Sequence, residues 1–144
     1  MTKLTAEEFN DIVRDELRWA HDMGMRLEHI DAGSAVMRLP YHDDSTRPGG
    51  TISGPHMMML ADACMYAVVL GLIGKVKLAV TTSFNINFLR RPAMTDLVAE
   101  GSIIKLGKRL AVLEVSVLTG SDRELVAHAT GTYSIPPLPV DSES

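Results

Sequence analysis

Residues 54–74, GPHMMMLADACMYAVVLGLIG, form an almost wholly apolar run that carries one acid, Asp62. Between His56 and Lys75 no other residue is charged. The run is long enough for about five helical turns. Ser53 or Gly54 suits its N-cap, and Pro55 suits a first-turn position that needs no N–H. Gly74 stands where a glycine ends a helix, and Lys75 is well placed against the helix dipole. An ionised carboxylate inside an apolar element is costly unless it is paired, hydrogen-bonded or neutralised. A helix that keeps one is expected to use it, with the flanking chain wrapped around it.

Upstream, Thr5 and Glu8 form a capping box, and Phe9, Ile12, Val13, Leu17 and Ala20 follow at helical spacing. They predict a first helix to about residue 20, within an N-terminal helical segment 1–22, with Trp19 near its end. Residues 25–39 predict a hairpin that turns at Asp31-Ala32-Gly33, with Ala35, Met37 and Leu39 alternating against Ser34, Val36 and Arg38. Pro40 ends that strand, and residues 41–50, YHDDSTRPGG, read as a polar loop.

Downstream lie four strand-like segments. In the first, Leu78, Val80, Phe84, Ile86 and Phe88 are expected on one face, opposite Thr81, Ser83, Asn85 and Asn87. Residues 97–106, 110–118 and 125–135 follow, joined by LRRPAMTD, a tight Gly107-Lys108 turn and TGSDRE. Links this short predict a meander of antiparallel neighbours. The expected class is α+β, an antiparallel sheet curled around one helix. Open sheet edges are usually covered or paired, so pairing with a second copy is expected.

The chain has 144 residues, which predicts one domain over 1–144, with residues 136–144 a fraying Pro-rich acidic tail. A formal charge of −4 argues against nucleic acid as a partner. The N-terminal stretch is acidic and amphipathic, the opposite of a secretory signal. The apolar run sits near the lower limit for a membrane span. Its acid, its glycines and its flanking strands make it a core helix instead, so no membrane and a cytoplasmic location are expected. The single cysteine, Cys64, reads as a small buried hydrophobe, and the histidines show no ligand spacing, so no metal is expected.

Several residues have the chemistry of a site. Free N–H groups at a helix start, as around Gly54, bind an anion or a carbonyl oxygen becoming one. A glycine-rich helix start explains the same residues without a ligand. Asp62, about two turns on, suits a nucleophile or general base, or a carboxylate hydrogen-bonded within the fold. His56 stands about 240° around the helix from Asp62, which favours a structural histidine. Ser53 lacks a GxSxG setting and a His–Asp relay. Met57, Met58, Met59 and Met65 offer an adaptable apolar surface, for an acyl pocket or for core. Arg90 and Arg91, and Lys105, Lys108 and Arg109, form two basic clusters suited to a polyphosphate ligand or merely to solvent.

Four segments together, GGTISGPHMMMLAD (49–62), FNINFLRRPA (84–93), IIKLGKRLAVLEVSV (103–117) and ELVAHATGTYSI (124–135), resemble a family. It is the hotdog-fold acyl-CoA thioesterases of the phenylacetic-acid-degradation, 4-hydroxybenzoyl-CoA thioesterase-like type. The resemblance runs from about residue 23 to 135. It implies a hotdog fold, a homodimer or dimer of dimers, and active sites at the dimer interface. It further implies that Gly54 N–H polarises a thioester carbonyl and that Asp62 of the other subunit attacks it or activates water. Thr81 falls where a water-positioning hydroxyl stands, and the basic turns would meet CoA, which belongs to the substrate, so no cofactor is implied. The family's motif His, second Gly and upstream Asn are replaced by Ser53, Pro55 and Arg47. An arginine at the site mouth suits an acidic acyl group or CoA itself. A non-catalytic acyl-CoA-binding protein is the alternative, and a hotdog dehydratase ranks last because no HFPG-like segment exists.

Overall fold

The computed structural model describes residues 1–42, 46–47, 51–75 and 79–137, the side chains of residues 46, 47, 51 and 52 excepted. In chain order the elements are α1 (Ala6–Glu16), α2 (Arg18–Asp22), β1 (Arg26–Asp31), β2 (Ser34–Leu39), β3 (Thr46–Arg47) and β4 (Thr51–Ile52). They continue with α3 (Gly54–Ile73), β5 (Val80–Phe88), β6 (Leu97–Leu106), β7 (Leu110–Thr119) and β8 (Leu125–Ser134).

Because α3 is apolar on every side, it has no face suited to water and becomes the core. Ser53 is its N-cap and Gly74, at φ 88°, its C-cap. Leu60, Ala61, Cys64, Met65, Ala67 and Val68 are buried along it. By length and composition α3 would also cross a membrane, but here the sheet accounts for its apolar surface. The strands alternate as half-buried strands must, with Ala35, Met37 and Leu39 inward on β2 and Ala111, Leu113, Val115 and Val117 inward on β7. Gly101 and Gly131 let helix and sheet approach. A Cβ at Gly131 would lie 2.7 Å from Met65 Sδ, and one at Gly101 would lie 3.0 Å from Cys64 Sγ. Truncating Met65 or Leu113 to alanine should cost about 2–5 kcal/mol.

The hairpin β1–β2 and the neighbours β6–β7–β8 form as the sequence predicts. Two expectations are corrected. The sheet order is β1-β2-β6-β7-β8-β5, so β5 pairs with β8 and not with β6. The LRRPAMTD link therefore crosses the end of the sheet, held where Leu89 and Arg90 N–H donate to Val126 O and Gly120 N–H to Asp96 O. The second correction concerns the faces of β5. Its register with β8 shifts between Thr81 and Ser83, and one extra residue exchanges the two faces on one side of a bulge. Thr81 thus joins Phe84 and Ile86 on the half-buried side, while Val80 is 54% exposed. The expected Leu78 lies outside the described residues.

The N-terminal segment is two helices. The Thr5–Glu8 capping box forms, and Phe9, Ile12 and Val13 are buried, but Leu17 (φ −119°, ψ 64°) breaks the helix. The break turns Ala20 into the core and brings Trp19 over the middle of α3. Of the proposed tail, residues 138–144 lie outside the described part.

Candidate active site

Asp62 is half-buried, and two hydroxyls converge on one of its oxygens. Thr81 Oγ1 donates to Asp62 Oδ1 at 2.8 Å, and Tyr133 Oη donates to the same atom at 2.9 Å. The Tyr133 hydroxyl also lies 3.1 Å from the Asp62 carbonyl oxygen. Among the described residues no donor is bonded to Oδ2. A carboxylate held by one oxygen has its other free for chemistry. Tyr133 is 3% exposed, and burial, then the neighbouring Asp62 charge, pushes its pKa well above the ordinary phenol value, so it stays a donor. Its ring stacks on Tyr66 at 6.3 Å, and Tyr66 meets Phe9 edge-on at 6.0 Å.

Tyr133 is absent from the residues that the sequence singles out for chemistry. Its signal lies in β8, where Ala127, Ala129, Gly131 and Tyr133 alternate inward, and a polar-tipped aromatic closing such a series needs a partner. Thr81 reaches Asp62 only because of the bulge.

Two cavities flank the acid. One of about 520 Å³ is lined by Trp19, Met58, Met59, Asp62, Thr81 and Phe84. The other, of about 240 Å³, includes Leu17, Trp19, Asp62, Tyr66, Thr81 and Tyr133. Met58 therefore faces the same space as Asp62, while Met57 and Met65 are core. Cys64 is fully buried, its Sγ 3.6 Å from Ala35 O and from Ala99 O, and burial pushes the thiol up to about 12.

The start of α3 is a separate station. Gly54 lies under the Phe88 ring, where an added Cβ would be 3.2 Å from Cζ. Among the described residues nothing accepts the Gly54 N–H. Ser53 Oγ lies 2.5 Å from His56 Nδ1 and 3.4 Å from His56 N, so its hydroxyl is engaged in the cap. Eight residues of helix put Gly54 about 12 Å from Asp62. One carbonyl cannot meet both in a single chain.

The basic clusters are likewise apart. Arg90 and Arg91 follow β5 at the Phe88 end, where Arg90 pairs with Glu124 at 3.1 Å. Lys108 and Arg109 lie at the opposite end of the sheet, lining a cavity of about 360 Å³ with Ile73 and Ile135. The register Thr81↔Tyr133↔Ala111 puts Asp62 nearer the Lys108 end. Arg47 is in β3 opposite Thr51, and its side chain lies outside the described residues.

Residues 49–126 match the thioesterase superfamily. A Saccharolobus solfataricus protein named "putative esterase" is 30% identical over 133 residues, which is 92% of this chain and 86% of that protein. A crystal structure of a "putative thioesterase" from Silicibacter sp. TM1040 is 33% identical, covers 95% of each chain and superposes with a TM-score of 0.86. A mutant form of the phenylacetic acid degradation protein PaaI from Thermus thermophilus is 25% identical with a TM-score of 0.74. That match covers 83% of this chain and 99% of the other.

Proposed function

This chain belongs to the thioesterase superfamily, as a hotdog-fold hydrolase of the PaaI type, and from that premise we propose that it cleaves an acyl-CoA or aryl-CoA thioester to free acid and CoA. The observation that carries this reading is Asp62, held through Oδ1 by Thr81 and Tyr133 beside an apolar cavity.

In the proposed course Asp62 Oδ2 takes a proton from water while the water oxygen bonds to the thioester carbon. The carbonyl electrons move onto the oxygen, which the Gly54 N–H of a second copy holds at the start of its α3. The intermediate collapses, the C–S bond breaks, and the departing sulfur takes the proton from Asp62. In the nucleophilic variant Oδ2 itself bonds to the carbon, the C–S bond breaks to release the CoA thiolate, and water, giving a proton to that thiolate, attacks the Asp62 carbon of the anhydride. Heavy-oxygen water separates the two, because a single turnover labels Asp62 only in the second. Thr81 positions the water, Ser53 caps the cradle, and no cofactor beyond the CoA of the substrate is called for.

The same geometry supports self-association. β5 is an edge strand, and Val80, Phe88 and the adjoining Leu89 are about half exposed. Antiparallel pairing of two β5 edges would set the Thr81 end of one copy beside the Phe88 end of the other. Each Asp62 would then meet the other copy's Gly54, with Arg90 and Arg91 of that copy near the CoA and Lys108 and Arg109 at the far side.

Thiol release should be measured over short, long, aromatic and dicarboxylic acyl-CoAs. Asp62→Asn should lower kcat/KM by roughly 10²–10⁴ with an unchanged circular dichroism spectrum. Full activity in that variant overturns the catalytic assignment. Saturable binding without release by the wild type establishes the non-catalytic acyl-CoA-binding reading instead.

A further inference from the structure

Trp19 is the chain's one tryptophan and takes no part in the chemistry described above. It borders both cavities at Asp62, and so do Asp62 and Thr81 themselves. The indole thus borders both a cleft of about 520 Å³ and one of about 240 Å³ that share the reacting group. The larger chamber is walled by Met58, Met59 and Phe84. The smaller continues toward Leu17, Tyr66 and Tyr133.

The indole has a firm mount. Leu17 breaks the helix, Ala20 is fully buried, and Met25 N–H donates to Ala20 O at 3.0 Å, so α2 is pinned immediately beside Trp19. The indole itself is 41% exposed. Little core packing depends on it, which is the profile of a side chain that can be exchanged without unfolding the protein. Apart from Asp62, no described residue lining the larger chamber is charged, which suits an uncharged, apolar group. The volume is within the usual range for a ligand cavity, about 300–1,000 Å³.

We propose that Trp19 is a specificity-determining residue that confines the acyl group to the larger chamber and sets its upper size. The inference rests on the thioesterase reading. Removing the indole joins the two chambers, so an acyl chain too long for the first runs on past Asp62 into the second. Two aliphatic or aromatic walls remain to receive it, and the hydroxyl clamp on Asp62 is untouched.

The test compares wild type, Trp19→Ala and Trp19→Phe on butanoyl-, octanoyl- and palmitoyl-CoA. In Trp19→Ala the ratio of kcat/KM for palmitoyl- over octanoyl-CoA should rise roughly tenfold or more, a size discrimination typical of an apolar pocket. Most of the change should be in KM, and Trp19→Phe should fall between. An equal loss on every chain length, with the ratio unchanged, overturns the proposal and leaves Trp19 a structural residue. Should Trp19→Ala not fold, the smaller shift in Trp19→Phe decides. The thioethers octyl-CoA and hexadecyl-CoA, titrated by calorimetry, read the same ratio without turnover. A shifted binding ratio in a protein that cleaves nothing supports the partition while the hydrolysis reading fails. No binding of either thioether by any of the three proteins overturns the partition.

Discussion

The start and the middle of α3 make an instructive contrast. At the start, Gly54 offers a backbone N–H with no acceptor among the described residues, in a turn beneath the ring of the edge-strand Phe88. In the middle, Asp62 is held by two hydroxyls from different strands, one of them on a buried and stacked tyrosine. The first station is a donor awaiting a partner and the second an acceptor already oriented. They are about 12 Å apart on a rigid rod, too far to share a carbonyl. Under the proposed function these are the two halves of one site, joined by pairing of two β5 edges.

The sharpest way to break this contrast is to separate the stations genetically. Asp62→Asn should silence one half. Gly54→Pro should silence the other by removing the N–H at a helix position that tolerates proline, costing roughly 10²–10³ in kcat. Co-expressed, the two variants should regain about a quarter of wild-type thiol release, since half of randomly formed pairs are mixed and each has one intact site. A mixture as inactive as its parents would mean that the stations do not meet across a twofold pair. Solution mass and circular dichroism check that both variants assemble and fold.

A smaller effect tests how firmly the middle station is held. Tyr133→Phe removes one donor from Asp62 Oδ1 and should lower kcat roughly tenfold with little change in KM, the worth of a hydrogen bond to a charged group. Combined with Thr81→Val, the loss should approach that of Asp62→Asn. A double variant with near-normal kcat would show that the carboxylate needs no such clamp.

Smallest of all should be the effect of Cys64, two residues from Asp62 but turned into the core. Its thiol, raised by burial to about 12, is protonated at neutral pH and has no access to solvent. Iodoacetamide should leave the native protein unlabelled and fully active, and should label it only after denaturation. Rapid native labelling with loss of activity would place a second nucleophile at the middle station.

Much of this is legible in the residues themselves. The cap at Ser53, the stop at Gly74, the capping box of Thr5 and Glu8, and the inward alternation of β2 and β7 all follow from hydrogen bonds and periodicities within a few positions of each other. So does the isolation of Asp62, because a lone acid among apolar residues is a property of composition. Only the fold decided that β5 lies beside β8, since that pairing joins segments some fifty residues apart in the chain. Only the fold turned Thr81 toward Asp62, because a bulge adds one residue against a partner strand that is distant in sequence and so exchanges the faces. The break at Leu17 that carries Trp19 over the cavity, and the opposite placement of Arg91 and Lys108, are likewise matters of tertiary packing. The sequence by itself determined that an acid stands in the middle of a buried helix; its two hydroxyl partners, its chambers and its distance from Gly54 were decided by contacts between residues far apart in the chain.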